Sequence, residues 1–332
     1  MLALEHIQLL KKRKNLLAFS AGVDSTALFH LLLSHDIPFD IAIVDYNTRP
    51  QSKQEVAYAK ELAKRYNLHC HLHTANKIET NFESNARHIR YTFFESLIKR
   101  YNYDTLLTAH HLGDRLEWFL MQLCKGAGCS ELAGMRGVEK REGYELVRPL
   151  LHVDKEELKE YLQKQKIPYF EDATNTDTKY LRNFFRIHYA TPLLQRYKEG
   201  IKRSFEYIDE DRALLEEECS FSKEGALVHF HTTTTRAALL CLDRFLKTQG
   251  YTLTASEKRL FKEKQTLVAG RKFFISHYNK ETIITPYSQE KPTLPKPFKE
   301  WCRKAQIPPL LRPFLYQDSE ALEWIKTHAP KG

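Results

Sequence analysis

No two of the six cysteines (Cys70, Cys124, Cys129, Cys219, Cys241 and Cys302) stand in Cys-x-x-Cys spacing. Neither a zinc ribbon nor a redox dithiol is indicated, and reduced thiols in a cytosol are the expectation. No apolar run approaches the length that crosses a bilayer. The stretch from Met1 to Lys14 is mixed polar, without the apolar core of a secretion signal. A soluble cytoplasmic protein with no membrane partner is therefore expected. Internal repeats and low-complexity tracts are also missing. So is the lysine of a G-x-x-x-x-G-K-[ST] loop, which argues against a kinase-type grip on phosphate.

What is present is the composition of a globular chain. Hydrophobic residues make up 42% and charged residues 28% of 332 residues, enough for two or three domains. The 51 Lys+Arg against 42 Asp+Glu leave a formal charge of +9. Such a balance suits a polyanionic partner such as nucleic acid, although mild basicity is common and does not decide.

The first half alternates strand and helix. Strands are expected at Leu16–Phe19, at Ile41–Val44, near His69–His73 and at Thr105–Thr108. Helices are expected from Ser25 to His35, from a cap at Ser52 with the stripe Val56, Ala59, Ala63 and Tyr66, from Phe82 to Arg100, and from near His111 to the glycines Gly126 and Gly128. This order implies an α/β fold, a doubly wound parallel sheet with helices on both faces. Ligands of such sheets bind beyond the strand C-termini, where the Ser20 turn, Asp45 and the His110-His111 pair all fall. After Pro149, Asp154 opens a charged helix to about Lys166, and Tyr169 to Asp177 reads as a polar loop. Tyr180 to Leu194 reads as helix with a break near Pro192, and Arg196 to Cys219 as a long charged connector. A small α+β region follows. It has an apolar helix from Ala237 to Leu246, another capped by Ser256, and strands Phe273–Ile275 and Thr282–Ile284 paired around Asn279-Lys280. The expected organisation is a catalytic domain over 1–195, a helical linker over 196–219 and a C-terminal domain over 220–332.

Four groups of residues carry chemistry. Ser20-Ala-Gly-Val-Asp-Ser25 is a strand-to-helix turn offering backbone N–H groups, hydroxyls and one carboxylate. That set suits the pyrophosphate portion of ATP, with Asp24 near a Mg²⁺ ion. A positive φ at position 21 would strain alanine. His111, Asp114 and Glu117 are three residues apart and share one helix face; alone, such a trio is equally a solvated polar face. Glu83, Arg87 and Arg90 share another face, where a surface ion pair is the plain alternative. Arg182 and Arg186, four apart, are well spaced for gripping phosphates.

Taken in order, these segments resemble the PP-loop ATP pyrophosphatase superfamily and, within it, the tRNA(Ile)-lysidine synthetases. Ser20–Ser25 resembles the signature Ser-Gly-Gly-x-Asp-Ser with Ala21 at the first glycine. His110–Glu117 is similar to His-His-x-x-Asp-x-x-Glu, followed by Trp118 where serine or threonine is usual. Gly126–Met135 is similar to a glycine-rich segment, with Glu131 at its third glycine. Arg148-Pro-Leu-Leu151, Asp172-x-Thr-Asn175 and Arg182-Asn-x-x-Arg186 complete the run, with Arg87, Arg90 and Tyr91 between. The resemblance covers about residues 15 to 190 and is only loose in the C-terminal part. It implies splitting of ATP between the α and β phosphates and ligation of free L-lysine to C2 of cytidine 34 in a tRNA(Ile) with anticodon CAU. It implies ATP contacts from Ser20, Ala21, Gly22, Val23, Asp24, Ser25, Asp45 and His110. Catalytic roles fall to Asp24, Asp114, Arg87 and Arg182, and Mg²⁺ contacts to Asp24 and Asp114. Substrate contacts fall to His111, Glu117, Arg148, Asp172, Asn175, Asn183 and Arg186. Asp114, Glu117 and Asp172 are the candidates to take the lysine proton, and the C-terminal domain is expected to hold the tRNA body. Whether the protein is a homodimer stays open. A tRNA thiolase of the same superfamily, in which Cys-x-x-Cys pairs are common, and a catalytically inert tRNA-binding protein are the alternatives.

Overall fold

The computed structural model describes residues 2–47, 51–171, 181–217, 219–289 and 292–328. The chain divides into two compact units, Met1–Ile208 and Asp209–Gly332. No helix among the described residues is long and apolar enough to cross a membrane.

In the first unit a short helix α1 (Ile7–Leu10) leads into β1 (Asn15–Ala18), and α2 (Val23–Ser34) follows the Ser20 turn. Then come β2 (Phe39–Asp45), α3 (Gln51–Arg65), β3 (Cys70–Thr74), α4 (Phe82–Tyr101), β4 (Thr105–Leu107), α5 (Leu112–Leu123) and α6 (Cys129–Ala133). A hairpin of β5 (Val138–Arg141) and β6 (Tyr144–Val147) precedes α7 (Lys155–Lys164), α8 (Leu181–Phe185), a π-helical turn (Arg186–Ala190) and α9 (Thr191–Glu217), whose residues after Ile208 belong to the second unit. The sheet order is β3-β2-β1-β4-β6-β5. All neighbours pair in parallel except β5 with β6. The expected parallel sheet thus carries one antiparallel edge strand. The sequence gives no strand signal for its hairpin, because Val138-Glu-Lys-Arg141 is short and mostly charged.

Neighbouring residues of β1 send their side chains to opposite faces, and so the sheet has two cores. Leu17 packs with Ile41, Leu107 and Val147 against the buried leucines of α2 and α7. Leu16 packs with Ala42, Leu106 and Leu146 against Phe94, Leu97 and Ile98 of α4. Burying each such leucine contributes about 1.5–3 kcal/mol. Asn15 opens β1 and is fully buried. Its amide nitrogen donates to the carbonyls of Leu10, Arg13 and Pro38, and its oxygen accepts from the Thr105 hydroxyl.

Two expected boundaries shift. Among the described residues α3 begins at Gln51, so Ser52 lies inside its first turn rather than ahead of it. The irregularity expected near Pro192 falls earlier, in the π-helical turn; Pro192 itself sits in the first turn of α9, where its missing N–H does no harm. A second irregularity lies at Tyr197 (φ −131°, ψ 21°). Asp172 and Asn175 lie outside the described residues.

The second unit holds β7 (Ser222–Glu224), β8 (Leu227–His231), α10 (Thr235–Thr248), α11 (Ala255–Lys264), β9 (Thr266–Ala269), β10 (Phe273–Tyr278), β11 (Glu281–Pro286), α12 (Lys296–Lys304), α13 (Arg312–Gln317) and α14 (Ser319–His328). Its sheet is antiparallel in the order β7-β8-β11-β10-β9. Ile275 and Ile284 face α10 and α11, while Phe274 and Ile283 face α12 to α14. The hairpin turns at Asn279 and Lys280, both at positive φ, where the sequence puts it. The cap of α11 is Thr254 rather than Ser256, because Thr254-x-x-Glu257 closes a reciprocal capping box. Cys219 and Cys241 form a disulfide in this unit, which corrects the expectation of reduced thiols for that pair. They are 22 residues apart and meet only because the α10 core buries both, so spacing held no sign of it.

Candidate active site

β1 lies between β2 and β4, so the chain leaves β1 to one side first and returns on the other. This reversal opens a crevice at the strand C-termini, and two helices start there, α2 after β1 and α5 after β4. Their N-termini differ. The N-cap of α2 is Gly22, which has no side chain to satisfy the first-turn N–H groups. The N-cap of α5 is His111, whose Nδ1 accepts from the Gly113 N–H while its own N–H donates to Asp114. One helix end is closed by its own residues; the other is open to an anion.

The open end is shaped by the Ser20 turn. Ala21 is fully buried and sits at φ 60°, the strained conformation expected if position 21 calls for glycine. Its carbonyl accepts from the Phe170 N–H (3.0 Å), which ties the turn to the segment after α7. The Ser20 N–H donates to Ser25 Oγ (3.2 Å), and the two hydroxyls are 3.0 Å apart. Asp24 stands in the first turn of α2. Its Oδ2 lies 3.8 Å from His111 Nε2 and 3.7 Å from Lys155 Nζ. Its Oδ1 is buried without a hydrogen-bond partner among the described residues. Val23 is buried beneath the turn.

Next to this end lies a quartet of charges. Arg182 of α8 donates to Asp114 Oδ1 (2.5 Å) and Glu117 Oε2 (2.8 Å). Arg186 of the π-helical turn donates to both Glu117 oxygens (2.5 and 3.2 Å). Burial by itself would push the Asp114 carboxyl up. The His111 ring, the Arg182 guanidinium and the His111 backbone N–H outweigh it and hold Asp114 well below the usual carboxylate range. His110 faces Thr108 Oγ1 at 2.9 Å. Burial pushes its pKa down to about 4, with help from Arg148, Arg182 and Arg87 and against the pull of Asp114.

The remaining expected residues are placed as follows. Asp45 ends β2 and accepts from the Asn47 N–H (2.7 Å). Arg87 is exposed on α4, its guanidinium 4.7 Å over the Tyr91 ring. Arg148 is buried and donates to the Arg136 carbonyl (2.8 Å) and to Glu139 (2.9 Å), which fastens the end of β6 to its hairpin partner. Asn183 lies on α8. Sequence reasoning missed Lys155, since its link to Asp24 spans 131 positions and no spacing pattern reports it. Trp118 and Glu131 meet: the indole N–H donates to the Glu131 carbonyl (3.2 Å). The same ring covers Gly134, where an added Cβ would stand 2.5 Å from it.

Asp24 and Asp114 were both expected to hold Mg²⁺, and their donor sets differ. Both Asp114 oxygens accept from Arg182 or the His111 N–H. Asp24 keeps one buried oxygen unmatched, and a Mg²⁺ held by one carboxylate plus substrate phosphates fits such a donor.

Residues 2–194 match the PP-loop domain family. Across 94% of its length the chain is 43% identical to the tRNA(Ile)-lysidine synthase of Helicobacter pylori, covering 92% of that protein. It is 42% identical to the tRNA(Ile)-lysidine synthase of Campylobacter jejuni and 44% identical to that of Wolinella succinogenes, covering 95% and 96% of them. At this identity and coverage the chain belongs to the tRNA(Ile)-lysidine synthase family of PP-loop proteins.

Proposed function

We propose that the chain is an ATP-dependent ligase that joins free L-lysine to C2 of cytidine 34 in the CAU anticodon of tRNA(Ile). The observation that carries this reading is the approach of Asp24 to His111, 3.8 Å apart across the crevice, between an open and a closed helix N-terminus. Cytosine O2 attacks the α-phosphorus of ATP; that O–P bond forms, the bond to the β-phosphate oxygen breaks, and pyrophosphate leaves with the electron pair. The uncapped N–H groups of α2 and the Ser20 and Ser25 hydroxyls are preorganised for that leaving charge. Asp24 would hold a Mg²⁺ ion, which would supply further charge neutralisation there. The lysine ε-amine then attacks C2, AMP leaves, and the nitrogen loses a proton.

The quartet bears on that proton. Asp114 has a depressed pKa and is held by Arg182, so it is a poor base. Glu117 accepts three guanidinium hydrogen bonds. Both are better suited to orienting cations, and Asp172 is left as the candidate acceptor. In this reading residues 196–219 link the catalytic domain to residues 220–332, which hold the tRNA body through salt-sensitive contacts. The protein acts in the cytoplasm, and gel filtration with light scattering decides between monomer and homodimer.

Purified protein with ATP, Mg²⁺, labelled lysine and a CAU-anticodon tRNA(Ile) transcript is expected to put label into the tRNA; no incorporation sinks the reading. Asp24→Ala is expected to abolish incorporation while tRNA binding persists, and a matched loss of binding contradicts the role given to Asp24.

A further inference from the structure

The segment from Leu181 to Arg203 carries Arg182, Arg186, Arg196, Lys198, Lys202 and Arg203 against one acid, Glu199, and so supplies more than half of the chain's formal charge of +9. One side of it is committed. Arg182 and Arg186 grip the α5 carboxylates, Lys198 donates to Glu157 of α7 (3.2 Å), and Ala190, four residues after Arg186, is buried against Leu112 and Leu116; Arg196, Lys202 and Arg203 remain against Glu199. The aromatic residues lie off that side. Phe184 is 37% exposed, Tyr189 46% and Tyr197 60%. The rings of Phe184 and Tyr189 are 5.7 Å apart, and that of His188 is 4.7 Å from Phe184. Tyr189 lies in the π-helical turn and Tyr197 at the kink in α9, while Phe184 lies in α8 just ahead of the turn. A π-helical turn inside a helix is frequently found at a functional site.

Two kinds of occupant cover exposed rings, an apolar protein surface or stacked bases. The charge selects between them. A second copy would bring the same cation surplus against this one, whereas RNA brings phosphates. We propose that this face is a stacking platform for unpaired bases beside the target nucleotide, Phe184 and Tyr189 supplying the rings and Arg196, Lys202 and Arg203, further along the segment, the phosphate contacts. The proposal rests on tRNA being the substrate. Unpaired loop bases are the part of an RNA that aromatic side chains recognise, each stack contributing about 1–3 kcal/mol.

The test is binding of an unmodified tRNA(Ile) transcript at fixed salt by wild type, Phe184→Ala, Tyr189→Ala and the ring-retaining variants Phe184→Tyr and Tyr189→Phe, with ATP affinity and sedimentation measured alongside. Each alanine variant is expected to weaken tRNA binding about tenfold. The ring-retaining variants are expected to stay within about twofold of wild type, with ATP affinity and sedimenting mass unchanged. Alanine variants that bind tRNA within about twofold of wild type overturn the platform. So does a fall in sedimenting mass on ring loss, which assigns the face to a second copy. Wild type that binds no tRNA brings down the parent reading and the platform together, a result distinct from both.

Discussion

Lys155 stands where the missing phosphate-loop lysine would be sought, 3.7 Å from Asp24, yet it comes from α7 rather than from the turn. Both members of the pair are roughly one-third exposed, so the ion pair itself adds at most about 1 kcal/mol to stability. Its value lies in leaving a cation at the mouth of an open helix end. Lys155→Met, which keeps the stem and removes the charge, is expected to raise the KM for ATP about fivefold with the urea midpoint unchanged; an unchanged KM contradicts this. The residues read most directly from the sequence are those within one motif: Asp24 in the turn, and His111, Asp114 and Glu117 three apart on α5. Local spacing reports a shared face. It cannot report that Arg182 and Arg186 close on those carboxylates from more than sixty positions away, nor that Lys155 meets Asp24.

The alternation of strand and helix was legible because buried strands are apolar runs bounded by turns, as in β1, β2 and β4. The β5–β6 hairpin and the π-helical turn were not, since the first is largely charged and the second keeps a helical pattern of residue types. Nor was the fastening at Asn15, the tie between α1, the start of β2 and β4, because nothing in the sequence marks this asparagine as buried. Three carbonyls and one hydroxyl depend on its amide. Asn15→Ala strands them in a dry interior, where each unpaired group costs about 1–3 kcal/mol. A loss of about 3 kcal/mol or more in urea unfolding is expected. A loss under 1 kcal/mol means that water replaces the amide.

Across the whole molecule, acid acts through imidazoles that the fold keeps neutral. Burial pushes His30, like His110, down to about 4. The unfolded chain binds protons at these residues from about pH 6.5 downward, and the folded chain does not until about pH 4. Stability is therefore fully present above the ordinary histidine range and falls as pH drops through that window, by on the order of 2 kcal/mol for each ring. Asp114, depressed in the fold, adds a further loss at more acid pH, as its carboxylate is protonated. Urea unfolding at pH 7 and pH 5 is expected to show the decline, and His30→Gln to flatten it; equal stability at the two pH values contradicts the assignment.

A search for this turn by its glycines would pass over the chain. At position 21 the turn requires an angle, and glycine is only the residue that reaches it most easily. Here a fully buried methyl group holds φ at 60°. Packing one methyl group returns about 0.8 kcal/mol, comparable with the 1–2 kcal/mol that the left-handed conformation costs. Asparagine and aspartate also visit that region. A pattern written in dihedral angles would retrieve chains that a pattern written in letters discards, and this alanine shows how large the omission can be.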